Sequence, residues 1–231
     1  MAVSAFATLF DAAGKPQPIA TRPELGEVNG LPVIYVGTGR LLGQSDLQDP
    51  STLVPPGTWS YVSSLYALYD TGTSMLGNPR SNPTIVKQTF SAFSATQLAG
   101  SMTAVNIPTN IGWMVDFPTT GERVNVDPQL VLGTLLVTTN VPNNDACAAG
   151  GDSWQYQFNY ASGGAVAGVP NSIVATKTVG ALTVGNAVVQ LPSQAIKIIS
   201  TESSGTKATT TLNTSSVNST VRRVGWREVP Q

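Results

Sequence analysis

The sequence predicts an all-β protein, and three observations carry that reading. Apolar residues alternate or come in runs of four to six, helical periodicity is missing, and Gly, Pro, Asn or Asp closes most runs. With 22 Gly and 16 Pro among 231 residues, turn formers suffice to punctuate many short strands. Helix is expected to fall below about one tenth of the chain.

Taken in order, strands are expected at residues 33–36, 61–69, 85–93, 112–117, 130–138, 154–160, 173–176, 187–191, 195–200, 207–212 and 221–228, most with β-branched or aromatic residues on one parity. In 61–69, Tyr61, Leu65 and Tyr69 share one parity while Tyr66 and Leu68 fill the other, so both faces should be covered. The gaps, such as Val54-Pro55-Pro56-Gly57, Gly77-Asn78-Pro79 and Val169-Pro170-Asn171, are turn chemistries rather than flexible linkers. A single all-β domain over 1–231 is therefore expected. Residues 201–220 hold twelve Ser or Thr in twenty positions and read as a mobile hairpin loop. They interrupt the domain rather than end it, because strand-like 221–228 follows.

Composition excludes several functions. The formal charge is −1, only 11% of residues are charged, and no basic block exceeds Arg222-Arg223. No electrostatic footprint for nucleic acid or an anionic membrane results, and the polar surface must be mostly Ser, Thr, Asn and Gln. Histidine is absent, which removes the usual Ser-His or Cys-His dyad and most zinc and haem chemistry. Cys147 is the single cysteine, so no disulfide forms within the sequence. The start, Met1 to Phe6, has no basic or long apolar region, and no export signal or membrane insertion is expected.

Gly37-Thr38-Gly39-Arg40 follows a predicted strand but lacks the Gly-Lys-Ser/Thr of a phosphate loop. A tight strand exit with close backbone approach is the better reading, with Arg40 pairing to Asp46 or Asp49. Asp145 and Asp152 flank Cys147 without calcium-loop spacing and read as a turn. The acceptor patterns at Asn213 and Asn218 arise by chance in so Ser/Thr-rich a segment. Between 112 and 164, Trp113 and Trp154 each sit early in a strand, Gly121-Glu122 forms a turn, and Gly163-Gly164 closes the stretch. That rhythm is expected of one four-stranded propeller blade, with a β-sandwich as the alternative.

Residues 31–42 (LPVIYVGTGRLL), 64–70 (SLYALYD), the 112–164 stretch with Asp145-Ala146-Cys147 and Gly150-Gly151, the closing 222–228 (RRVGWRE) and the earlier 17–25 (QPIATRPEL) resemble the C-terminal β-propeller of the PilC/PilY group of type IV pilus assembly proteins. The matching pieces occur in order from about residue 9 to residue 228. The residues marking the resemblance are Gly37, Gly39, Arg40, Trp113, Gly121, Glu122, Cys147, Trp154 and Trp226.

The resemblance implies a quinoprotein-like propeller of which this chain is the C-terminal half, with roughly three to four blades. It also implies a place at the cell surface, outer membrane or pilus tip, with pilins or minor pilins, a host or abiotic surface, and the upstream part of the propeller as partners. The family's Asp-rich calcium loop has no counterpart here, so calcium-dependent switching is not carried over. No cofactor and no catalytic or metal residue is expected. The leading expectation is a non-enzymatic scaffold and adhesion module. The alternatives are a quinoprotein-like dehydrogenase fragment, with Asp116, Asp127, Asp145, Asp152 and Glu122 as its carboxylates, and a polysaccharide-binding domain using Trp59, Trp113, Trp154 or Trp226 as stacking platforms. An open ring should leave the flank of its first blade apolar and exposed, which favours self-association.

Overall fold

The computed structural model describes residues 5–72, 76–143 and 150–214. Fifteen strands and four short 3-10 turns make up its regular structure. The strands are β1 (Glu24–Val28), β2 (Leu31–Gly37), β3 (Ser64–Tyr69), β4 (Ile85–Gln88), β5 (Phe90–Ser94), β6 (Gln97–Gly100), β7 (Gly112–Asp116), β8 (Arg123–Val124), β9 (Gln129–Val131), β10 (Thr134–Pro142), β11 (Gly151–Asn159), β12 (Ile173–Thr178), β13 (Thr183–Gln190), β14 (Ile196–Glu202) and β15 (Lys207–Thr211). They form three sheets, ordered β1-β2-β3-β7-β4, β5-β6-β12-β11-β10-β8 with β9 also on β10, and β13-β14-β15. Pairing is antiparallel except for β4 on β7.

The second sheet lies between the other two. One parity of β11 (Trp154, Tyr156, Phe158) and of β10 (Leu135, Val137) meets Val33, Tyr35, Leu65, Ala67, Trp113 and Val115 of the first sheet in the main core. The other parity of β10 brings Leu136 against Ile198 and Leu212 in the third. In β3 every residue is buried, as the double-sided apolar pattern requires. Its second parity, Tyr66 and Leu68, joins Val36, Ile85 and Met114 beneath Phe6 and Leu9 of the N-terminal segment. The N-terminal segment therefore covers the centre of that outer face, while Leu25 of β1, opposite Ile34 on the same face, is 61% exposed. Leu9 is only 9% exposed and holds that cover down.

Other expectations are corrected by chain path. Residues 112–164 are not one sheet: β7 lies in the first, and β8 to β11 lie in the second. The turn through Thr119 and Gly121 carries the chain across, because Trp113 finds its strand neighbours in β3 and β4. The 85–93 strand divides at Thr89, where β4 leaves the first sheet and β5 joins the second. The 130–138 strand divides too, since Leu132 and Gly133 both take positive φ and fold β9 back on β10. Within 201–220, β15 pairs with β14 across a turn at 203–206. Residues 215–231, with the 221–228 expectation, lie outside the described residues.

Candidate functional site

Two segments marked in the sequence converge at one corner. β2 exits through Gly37-Thr38-Gly39-Arg40 directly against Val124 and Arg123. A Cβ on Gly37 would lie 2.5 Å from Val124 Cγ1, and one on Gly39, at φ +138°, 2.8 Å from the Arg123 backbone. Only glycine allows that approach. The contact is sealed by Val124 N donating to Thr38 O at 3.1 Å and Gly39 N to Pro18 O at 2.8 Å. Gly121, in turn, sits under the Tyr61 ring.

The corner's charges are arranged in layers. Arg40 pairs with Asp46 at 2.9 Å, the Asp46 side chain being 1% exposed, and its guanidinium lies 4.7 Å from the Trp59 ring centroid. Leu42 N and Gly43 N donate to the second Asp46 oxygen. Arg123 lies over the Tyr61 ring at 4.9 Å and donates to the carbonyls of Gly121 and Asp46. Glu122 points the other way into the core, fully buried. Its Oε1 accepts from Tyr156 OH at 2.6 Å and Thr139 Oγ1 at 2.5 Å, and Oε2 accepts from Thr119 N at 3.3 Å. Burial pushes the Glu122 carboxyl above its ordinary range, against the opposing pull of these donors. The crevice between Arg40, Asp46, Trp59, Tyr61 and Arg123 has a volume of about 10 Å³, room for roughly one water. This geometry pins two sheets together and offers no room for a substrate.

A second polar cluster fastens the N-terminal segment. Arg80 forks onto Asp116 at 2.5 and 2.8 Å and donates to Ser64 Oγ, Tyr66 OH and Phe10 O. Ser64 Oγ also donates to Asp116 at 2.5 Å, and Gln17 bridges Ser64 and Tyr66. Burial alone would raise Asp116, but the Arg80 and Ser64 hydrogen bonds outweigh it and hold the carboxyl below its ordinary value.

The remaining marked residues are Trp113, fully buried, and Trp154, 5% exposed. Cys147 and Trp226 lie outside the described residues, as does Asp145. Asp127 pairs with Arg22 and Asp152 with Lys177. No group of three or more Cys, Asp or Glu gathers around a common point among the described residues. Sequence reasoning missed Arg80, Tyr61 and Arg123. In a chain with so few charges, the adjacent Glu122-Arg123 was the available signal, since ionic groups rarely enter a core unpartnered.

The three stacked sheets define a class: a β domain with the fold of the PilY1 C-terminal domain. That solved domain, from Pseudomonas aeruginosa, superposes with a TM-score of 0.67 over 89% of this chain and 47% of its own, at 18% identity. In sequence, a type IV pilus biogenesis factor PilY1 homolog of Xylella fastidiosa (strain Temecula1) is 27% identical over 146 residues, 60% of this chain. The chain is thus a relative of the PilY1 group. It spans 9% of the length of that curated relative. No family model matches the chain.

Proposed function

We propose that the chain is the C-terminal part of a propeller in a type IV pilus protein, a single all-β domain over 1–231 that supports pilus assembly and surface adhesion without chemistry of its own. The observation carrying this reading is that sequence and fold point separately to the same group. The three stacked sheets read as consecutive blades, each covering its neighbour's face. Pilins or minor pilins, a host or abiotic surface and the upstream blades are the partners, and the cell surface or pilus tip is the place of action. The turn at 203–206 between β14 and β15 is one of the loops the scaffold presents.

A dehydrogenase reading has less support, because Asp116 is engaged by Arg80 and Glu122 by buried hydroxyls. A polysaccharide platform is disfavoured by the burial of Trp113 and Trp154, since stacking needs an open indole face.

The test is genetic. Deleting the reading frame that encodes this chain in its host should strip surface pili and attachment to glass, and the intact frame supplied in trans should restore both. Normal piliation and attachment in the deletion strain would overturn the proposal.

A further inference from the structure

β4 and β7 run parallel as far as Gln88 opposite Val115, and there they part. The Gln88 side chain turns inward and donates to the carbonyls of Thr103 and Ser162. Thr89 then exchanges bonds with Ser101, its N–H donating to Ser101 Oγ at 2.9 Å and its carbonyl accepting from Ser101 N at 2.8 Å. β5 is thereby drawn into the middle sheet, while β7 runs on to Asp116 in the first. The fork opens a cleft of about 270 Å³, against about 10 Å³ at the corner. Hydrogen bonds on both prongs fix its walls, so the space is formed before any ligand arrives.

The lining has an apolar floor and a charged mouth. Met114 and Val115, each 1% exposed, make the floor, with Phe90 on one wall and Pro118 at the rim. Lys87 and Asp116 stand at the mouth. Arg80 forks onto Asp116 and Ser64 Oγ donates to it, so that carboxylate is already neutralised. Lys87 is exposed and has no ion-pair partner among the described residues. Arg80 and Lys87 against Asp116 leave one positive charge in excess beside an apolar hollow.

We propose that this cleft binds a small amphipathic carboxylate, an aromatic ring carrying its acid on a short arm. Size sets the limit. A cavity of roughly 150 Å³ holds one benzene, and in proportion this one takes about eleven non-hydrogen atoms. The ring lies against Phe90 and the Met114 thioether, contacts that favour an aromatic over an alkyl body, and the carboxylate pairs with Lys87. An amine would meet Lys87 as a like charge and find Asp116 already held by Arg80. With so few atoms and one partly solvated ion pair, the dissociation constant should be on the order of a millimolar. The inference is independent of any role in pili.

Titration of the full chain with hydrocinnamate, followed through the methyl resonances of Met114 and Val115, tests it. Saturable shifts at these methyls are expected. The neutral amide of the same acid should bind about fivefold more weakly, phenylpropylamine more weakly still, and acetate, which lacks the ring, should not saturate below about 50 mM. Lys87→Met keeps the aliphatic stem and should bring the acid down to the level of the amide. Thr89→Trp, at an exposed position on the cleft wall, fills the space and should abolish binding of both. Both positions are exposed, so the thermal melts should stay near that of the parent. Lys207→Met, on β15, should leave binding unchanged. No saturable shift up to about 20 mM, an amine that binds as well as the acid, or acid binding indifferent to Lys87→Met or to Thr89→Trp would overturn the proposal.

Discussion

The middle sheet has two faces, and they are held by different physics. Toward the first sheet, β11 presents Trp154, Tyr156 and Phe158, and the last two pack with Trp113, Phe117 and Phe90 at centroid distances of 5.0 to 6.1 Å. Toward the third sheet the same strand presents Ser153, Gln155 and Gln157. These bond Thr183 Oγ1, Ser200 Oγ and Thr211 O, and Gln155 accepts from Thr210. Among the described residues, only Leu136, Ile198 and Leu212 form a buried apolar cluster on that side. Burial of aromatic area is strong and non-directional, whereas hydrogen bonds give modest net stability but penalise any wrong register. One face thus supplies stability, and the other aligns a neighbour.

The largest expected effect tests this contrast directly. Trp113→Ala removes a fully buried indole from the aromatic side and should cost about 3–5 kcal/mol. Ile198→Ala, on the sparser side, should fall at the low end of the roughly 2–5 kcal/mol range for such truncations. Urea denaturation of both variants checks the order. Equal losses would break the comparison. Hydrogen exchange should agree, with β13 to β15 opening before β3 and β11.

The same contrast explains what was legible in the sequence. Ser153-Trp154-Gln155-Tyr156-Gln157-Phe158 alternates cleanly, and alternation ordinarily marks a strand with one wet face. The third sheet covers that polar face instead, and nothing local in β11 announces a hydrogen-bonding partner some forty residues on. The doubly apolar β3 did reveal its two covers. β1 went unseen although Asn29-Gly30, both at positive φ, is the strongest short hairpin signal, because Glu24 and Glu27 mask its alternation. The strand exchanges at Thr89 and after β7 depend on which sheet each segment reaches, a tertiary choice without a local signature. At the corner, Gly37 and Gly39 were readable as sites of close approach, and Asp46 as a partner for Arg40. Their convergence on Arg123 and Val124 was not, since the two segments are separated by more than eighty positions.

A smaller effect sharpens the polar side. Asn140 donates to Asn125 Oδ1 and Thr183 O and accepts from Thr183 N, at 2.7 to 2.8 Å. Asn140→Ala leaves both backbone groups of Thr183 without these partners in a buried site, and about 1–3 kcal/mol should be lost. That loss should appear chiefly as earlier exchange of β13 amides. A uniform loss across all three sheets would show that the polar face is not a separable unit.

Glu122 brings an ionisable group to the aromatic side. Its folded-state pKa is raised, so below its unfolded value both states are protonated and folding is unpenalised. As pH rises through the folded-state value, the closed site must hold a charge and stability falls. Glu122→Gln removes that titration. The melting temperature of the variant should therefore gain on the parent between about pH 4 and pH 8. A constant difference across that window would mean that Tyr156, Thr139 and Thr119 fully solvate the carboxylate.

The smallest effect belongs to the rim of the middle sheet's aromatic face. Lys177 Nζ lies 2.6 Å from Asp152 Oδ2, with side chains 22% and 29% exposed, and 5.8 Å from the Trp154 ring centroid. The Lys177 contact first, and the Gly180 amide second, hold the Asp152 carboxyl below its ordinary value. A lowered carboxyl stabilises the fold above its unfolded pKa, and that contribution is lost as pH falls through the folded value. Solvent screening keeps the pair small, so Lys177→Met, which retains the aliphatic stem over Trp154, should cost no more than about 1 kcal/mol at neutral pH. The cost should shrink as pH falls through the folded-state value of Asp152, and shrink in molar salt. A loss that persisted in acid and high salt would place the contribution in packing against Trp154 rather than in charge, and would extend the aromatic face out to the rim.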